Sequence, residues 1–347
     1  MRVNLKRFVV SMLAVIGFTA AAFFLPPPAT AVPVTLKLFY VSSDRDSAYL
    51  SLVKPFVDAV NGDPRGLLKI NVSFSAQAGA PNQQAQYVAN GKADIAFVIA
   101  GIEPKLFPDQ AAVELPGLFR DTREASLVYM RLVAANELRG YNDFFVIGAV
   151  ATQPETINSR KRTASLADLK GQTLRVNNPT VAGALTKFGA SAKIMALNET
   201  ANAIASGTVD GAVLQLAQVF SFGIGRLTPN HYLLPLGSAP LLLVMNRKVF
   251  DGLPEPARKV IRDHSGVWLV GQYTKISDAF SRRVLDQLKA DSRRNVVEPS
   301  AQDRAAAQSV FDTMAEEWAA ASPRNRELLT LVKSELAKIR SSKESRP

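Results

Sequence analysis

Cysteine is absent from the 347 residues, and histidine occurs only as His231 and His264. The first absence excludes disulfides, thiolate metal sites, iron–sulfur clusters and cysteine nucleophiles together. With two histidines, a structural zinc or a histidine-rich metal site is not expected, and neither metal nor cofactor is assigned. Long apolar runs are also scarce, and beyond the amino terminus no stretch is long enough to span a bilayer. The composition, 47 % apolar and 20 % charged, is that of a globular chain rather than a disordered or collagen-like one. The length exceeds what one hydrophobic core usually serves, so two domains are expected.

Arg2, Lys6 and Arg7 form a basic start, and Phe8–Leu25 is an uncharged, mostly apolar run closed by Pro26, Pro27 and Pro28. Ala29-Thr30-Ala31 then places small residues at the two positions a signal peptidase reads. Residues 1–31 are therefore expected to be a secretory signal cleaved after Ala31. An uncleaved membrane anchor is the alternative, and the absence of cysteine excludes a lipoprotein. Removing three of the 41 basic residues leaves 38 against 30 acidic ones, so the formal charge falls from +11 to +8. These charges are dispersed. Arg282-Arg283 and Arg293-Arg294 could share a helical face, but aromatic residues do not interleave with them as a base-stacking platform requires. Nucleic acid is not an expected partner, and the positive excess reads as attraction for small anions.

Strand and helix patterns alternate along the mature chain. Strands are expected at Val34–Tyr40, Leu68–Phe74, Ala93–Ile99, Phe144–Ala151, Thr173–Val176, Lys193–Met195 and Val209–Leu214. Between them, Tyr49, Val53, Phe56, Val57 and Val60 fall on one helical face, with Pro55 a possible kink. Further helices are expected at Asn82–Asn90, Thr122–Leu138, Pro179–Phe188 and Glu199–Ala205. The alternation argues for parallel sheets covered on both faces. Ala89–Ala96 and Ala205–Ala212 share a frame of helix end, Gly, two residues, Asp and buried strand, which suggests two similar α/β lobes. From Pro254 to about Ser292 a helical pattern of about 37 residues would reach about 55 Å, enough to run along both lobes. Helices Ala301–Ala321 and Arg324–Arg340 follow, and Ser341–Pro347 is a polar tail expected to be disordered.

Catalytic constellations are missing. There is no Gly-x-Ser-x-Gly elbow, P-loop, His-Glu-x-x-His or dinucleotide fingerprint, and Gly223-Ile224-Gly225 lacks the third glycine. His231 and His264 read as packing residues, and Glu316-Glu317 are consecutive on a helix and point apart. No catalytic residue is assigned. An exported two-lobed α/β protein without catalytic apparatus is most simply a ligand-binding receptor, not an enzyme.

An ordered set of segments then carries a family resemblance. They are Gly91–Ile95, Phe107-Pro108, Glu114–Leu118, Leu169–Val176, Phe188–Ala190, Ser206–Ala212, Met245–Pro254 and Glu316–Trp318. Together they resemble the extracytoplasmic solute receptors of tripartite ATP-independent periplasmic (TRAP) transporters, of the dicarboxylate-receptor (DctP-like) type. The resemblance implies an α/β periplasmic clamshell of two discontinuous lobes sharing a long helix. Lobe I would comprise 32–152 plus 241–280, and lobe II 153–240 plus 281–347. It also implies a small organic acid as ligand and TRAP membrane permease subunits as partners, driven by a sodium or proton gradient. A monomer suffices for capture.

In that family the arginine of the Lys-Gly-x-x-x-Arg-Val segment pairs with the ligand carboxylate, which places the role on Arg175. A guanidinium fork suits this, since it can make two parallel bonds to a carboxylate. An internal salt bridge is the competing reading. The other candidate ligand contacts are Asn177, Gln215, Leu214, Phe97 and Ile102, with Phe97 equally able to be plain core. Two departures matter. Where many relatives have an asparagine after Val-Asp-Gly, this chain runs Ala212-Val213-Leu214-Gln215, and where some place a second arginine it has Glu155. Both make the pocket less cationic, so a monocarboxylate with an apolar or aromatic body is expected over a compact dicarboxylate. The remaining alternatives are a receptor for another importer or sensor, and an exported enzyme.

Overall fold

A computed structural model describes residues 32–341. The signal segment with its cleavage after Ala31, and the tail from 342 onward, lie outside the described residues. Two sheets lie within one compact unit that begins at Pro33. The first contains β1 (Val34–Tyr40), β2 (Leu68–Phe74), β3 (Ile95–Ile99), β4 (Phe144–Ala151) and a late strand, β10 (Pro240–Asn246), in the order β2-β1-β3-β10-β4. The second contains β5 (Thr156–Ser159), β6 (Thr173–Val176), β7 (Ser191–Ile194), β8 (Gly211–Leu214), β9 (Asn230–Tyr232) and β11 (Asn295–Val297), in the order β11-β9-β5-β8-β6-β7.

The helices are α1 (Lys54–Asn61), α2 (Gln84–Ala89), α3 (Thr122–Ala134), α4 (Pro179–Lys187), α5 (Thr200–Ala205) and α6 (Leu216–Ser221). After them come α7 (Arg247–Gly252), α8 (Glu255–Asp263), α9 (Val267–Ala290), α10 (Ala301–Ala320) and α11 (Pro323–Ser341). A π-helical turn at Tyr49–Val53 runs straight into α1. It shifts the hydrogen-bond register just before Pro55, which has no N–H to give the ladder.

The repeated Gly–Asp frame has a structural meaning. Gly91 and Gly207 both take positive φ, closing α2 and α5. Asp94 then bonds Lys37 in both directions, its N–H donating to the Lys37 carbonyl and its carboxylate accepting from the Lys37 N–H at 2.7 Å. Asp210 does the same with Thr173, its carboxylate accepting from the Thr173 N–H at 2.9 Å. Each lobe thus pins the start of a parallel strand pair, β1 with β3 and β6 with β8, by one carboxylate.

Three expectations are corrected. The sheets are mixed rather than parallel, because β10 runs antiparallel between β3 and β4, and β5 runs antiparallel to β8 and β9. These strands follow crossings from the other sheet and so enter from the opposite end. The Pro254–Ser292 stretch is two helices, not one. The first ends at Asp263, and Gly266, at φ +63°, precedes the second as its N-cap and donates its N–H to the Ile147 carbonyl at 2.8 Å. The 24-residue α9 still spans both lobes, packing on β4 of the first sheet and on α6 and β11 of the second. Arg293 and Arg294 lie past its end, so the two arginine pairs do not share a face. The third helix stops at Ala134 rather than Leu138, since Asn136 takes the left-handed conformation at φ +56°.

One apolar core fills the first lobe between its sheet and α1, α2, α3 and α9, and α11 adds Leu328, Val332, Leu336 and Ile339 to it. The second lobe packs Leu174, Val176, Leu185 and Val213 against Phe311 and Met314 of α10. Two connections join the sheets side by side. The Thr152 N–H donates to the Ala239 carbonyl, and the Glu155 N–H to the Gly237 carbonyl, each at 2.9 Å. In return the Leu236 N–H donates to the Glu155 carbonyl at 2.9 Å, and the Ala239 N–H to the Thr152 hydroxyl at 2.8 Å.

Candidate ligand-binding site

A cavity of about 740 Å³ lies between the two sheets. It opens at the carboxyl ends of β1, β3, β6 and β8, the place where open α/β sheets bind their ligands. Tyr40 and Phe97 reach it from the first sheet, Arg175, Asn177 and Gln215 from the second, and Tyr273, Ser277 and Phe280 from α9. The connections contribute Thr152, Gln153, Glu155 and Ala239.

Arg175 is the penultimate residue of β6, opposite Ala212 of β8 and Lys193 of β7. It is only 4 % exposed. Its Nε donates to the Met195 carbonyl at 3.0 Å. Among the described residues no carboxylate lies within ion-pairing distance of it, and its two terminal nitrogens have no protein acceptor. Burial pulls its pKa down, and nearby Glu155 opposes that pull. A guanidinium buried with one protein bond is costly, and a bound carboxylate would supply the missing acceptors.

A chain of amide contacts fixes the polar side of the cavity. Asn178 caps α4, its side-chain oxygen accepting from the Val181 N–H at 2.9 Å. Its Nδ2 donates to Asn177 Oδ1 at 2.8 Å, and Asn177 Nδ2 donates to Glu155 Oε1 at 2.7 Å. Burial pushes the Glu155 carboxyl up to about 7, against the pull of Arg175 and the Asn177 bond. Burial likewise pushes Glu114 up to about 8, with the Glu155 charge adding to it. Glu114 fits because two neighbours are glycines. A Cβ on Gly101 would stand 2.6 Å from Glu114 Oε1, and one on Gly237, at φ +104°, would stand 2.7 Å from its carbonyl oxygen.

The opposite side is apolar. The Phe97 and Tyr40 rings lie 4.9 Å apart, and the Tyr40 hydroxyl donates to Asp46 Oδ1. Ile99 and Ile102 extend this wall, while Ile194, Met195, Leu197 and Phe222 add apolar surface on the Arg175 side.

Of the six candidate contacts, the structure gathers Arg175, Asn177, Gln215, Phe97 and Ile102 around the cavity. Leu214 lies behind it, packed with Ile204, Val209 and Val219. Side chains alternate along a strand, so it turns away from the surface that its neighbour Gln215 lines. Sequence reasoning did not single out Glu114, Asp46, Tyr273 or Ser277. Glu114 sat inside a quoted family segment, but nothing in its neighbours announced burial beside a second carboxyl. Neither histidine lines the cavity. His231 bonds Asn158 Oδ1 through Nδ1 at 2.7 Å and accepts from Arg294 through Nε2 at 3.3 Å, while His264 meets the Trp268 ring edge-on. Among the described residues no group of three or more acidic or histidine side chains is placed to hold a metal ion.

Known proteins resemble this chain in sequence and in fold. A solute-binding protein of Verminephrobacter eiseniae strain EF01-2 is 26 % identical over 241 residues, 68 % of this chain and 71 % of that one. The 2,3-diketo-L-gulonate-binding periplasmic protein of Escherichia coli K12 is 26 % identical over 262 residues, 74 % of this chain and 78 % of that one. The fold is similar to a marine metagenome TRAP solute binding protein specific for aromatic acid ligands, solved with 3-hydroxybenzoate. Its TM-score is 0.81 at 23 % identity, covering 89 % of this chain and 99 % of that one. It is also similar to a TRAP solute binding protein of Rhodoferax ferrireducens T118 with copurified benzoate, at TM-score 0.79 and 24 % identity, covering 88 % and 98 %. Residues 39–321 match the family described as bacterial extracellular solute-binding protein, family 7. The chain belongs to that family, the DctP family of solute receptors.

Proposed function

We propose that this protein is the periplasmic receptor of a TRAP transporter and captures a monocarboxylate with an apolar or aromatic body. The observation that carries the reading is Arg175, buried with both terminal nitrogens unclaimed, across the cavity from the Tyr40–Phe97 wall. The guanidinium takes the carboxylate in a two-bond fork, and the apolar wall takes the ligand body. Asn177 and Gln215 supply polar contacts, Phe97 and Ile102 form the wall, and Leu214 backs the site from the core. Structural relatives holding 3-hydroxybenzoate, benzoate and mandelate support this ligand class. Others hold galacturonate or glucuronate, and those sugar acids make the sharpest competitors.

Delivery follows from family membership. The signal segment exports the chain, with cleavage after Ala31, and the loaded receptor, acting as a monomer, hands its ligand unchanged to a membrane permease for secondary uptake. Among the described residues no helix is long and apolar enough to cross a membrane. A thermal-shift panel of benzoate, 3-hydroxybenzoate, mandelate, succinate, malate and galacturonate tests the ligand class. A true ligand at 100 times its dissociation constant adds about 2.7 kcal/mol of stability. Shifts with the aromatic acids are expected. Shifts with succinate, malate or galacturonate alone would overturn the reading.

A further inference from the structure

The cavity proposed to receive an anion holds more acidic than basic side chains. Sharing the cavity lining with Glu155 are Arg175 on β6, whose charge acts on it, Glu114 before the Leu115–Leu118 segment, Asp46 and Tyr40 of the first lobe, and Tyr273 on α9. Asp46 is engaged by the Tyr40 hydroxyl and the Ala48 N–H. Glu114 is 5 % exposed, and only burial and the Glu155 charge act on its carboxyl. Glu155 is 2 % exposed and has one side-chain partner, Asn177 Nδ2 on Oε1. One guanidinium therefore already faces the Glu155 carboxyl before any ligand arrives, and Glu114 is a second buried acid beside Glu155. A second carboxylate, brought in by the ligand, cannot share that charge with Glu155 ionised, since like charges at close range in a dry site suppress one another's ionisation.

We infer that Glu155 is the proton-carrying residue of the ligand site, holding a proton in the complex so that each captured anion brings one proton from solvent. The inference rests on the carboxylate reading of Arg175. Asn177 fixes Glu155 through Oε1, which leaves Oε2 to carry the hydrogen. One O–H bond forms at that oxygen, the proton comes from bulk water, and no bond of the ligand changes. On release the proton returns. Burial, which already lifts the Glu155 carboxyl to about 7, makes this exchange fall within the neutral range.

Calorimetry with benzoate, which stays ionised throughout, tests this at pH 6 and pH 8 in buffers of different ionisation enthalpy. Uptake of nearly one proton at pH 8 is expected, with affinity about tenfold higher at pH 6 than at pH 8. Glu155→Gln should abolish the uptake and bring its two affinities within twofold of each other. Binding without proton uptake, or uptake unchanged in Glu155→Gln, would overturn the inference. The ligand-free protein gives an independent reading by NMR of carbon-13-labelled glutamate carboxyls, with Glu155 assigned by its loss in the variant. Titration above pH 6.5 is expected, and titration in the ordinary carboxylate range near pH 4.5 overturns the inference even if benzoate never binds. Failure of benzoate at both pH values would remove the ligand reading instead.

Discussion

Asn177 Nδ2 reaches Glu155 Oε1 at 2.7 Å, tying the residue two places beyond Arg175 to the first connection between the sheets. The same contact sets the distance between the buried cation and a buried acid. On the proposed reading, a loop amide as well as the arginine positions the ligand charge.

Removing the guanidinium should abolish capture without unfolding the protein. Arg175 makes one protein hydrogen bond, to the Met195 carbonyl, so Arg175→Ala frees that one acceptor, and Glu155, without its neighbouring charge, is left to hold a proton. Loss of a buried charge-assisted pair costs about 3–5 kcal/mol, which weakens benzoate binding by at least about 100-fold. Isothermal calorimetry with a circular-dichroism control checks this, and an affinity within threefold of wild type would remove Arg175 from the site.

Phe97 serves the core and the cavity together, being 4 % exposed and packed on Tyr40. Phe97→Ala should cost about 3–5 kcal/mol in urea unfolding. It should also weaken an aromatic acid by about tenfold through a lost ring contact of about 1.4 kcal/mol. A variant destabilised but with unchanged benzoate affinity would restrict Phe97 to packing.

Glu114 makes stability fall as pH rises. Its folded carboxyl is raised from the usual 4.5 to about 8, so the folded state holds a proton that the unfolded chain has lost. The stabilisation is complete below pH 4.5 and disappears as pH rises through 8. Glu114→Gln keeps the shape without the charge. At pH 9 it should be more stable than wild type by about 2–4 kcal/mol, with the gap closing by pH 5. Urea midpoints at both pH values measure it, and parallel profiles would mean that Glu114 titrates normally.

His231 acts in the opposite sense. Burial, helped by the Arg294 charge, lowers its pKa from 6.5 to about 4. The neutral ring contributes stability that is present above pH 6.5 and is lost as pH falls toward 4, because the unfolded imidazole takes its proton first. The span corresponds to about 3 kcal/mol. Comparing wild type with His231→Gln at pH 7 and pH 4.5 isolates it from the carboxyls, and equal losses in both would place His231 outside acid unfolding.

Much of the frame was legible because local rules and tertiary packing agree. Strands Val34–Tyr40, Leu68–Phe74, Phe144–Ala151 and Thr173–Val176 have the limits expected from their patterns. The repeated Gly–Asp frame pointed to two lobes before its hydrogen bonds were visible. Strand direction was not legible, since β10 has the same all-buried run whichever way it points. The break at Gly266 was hidden by an apolar spacing that continues on both sides of it. An amphipathic helix such as α11 declares a buried face but not which core receives it. At the site, Arg175 carried a motif, whereas Glu114 became informative only once the fold buried it where the Glu155 charge acts on it.

The paired connections between the sheets have a mechanical consequence. A lone strand between two bodies is a thread, free to swivel. Thr152–Glu155 and Leu236–Ala239, cross-bonded at both ends, form instead a leaf that bends about one axis and resists torsion. With Glu155 at one end of that leaf and tied to Asn177 of the second lobe, bending the leaf leaves the acid in place beside Arg175.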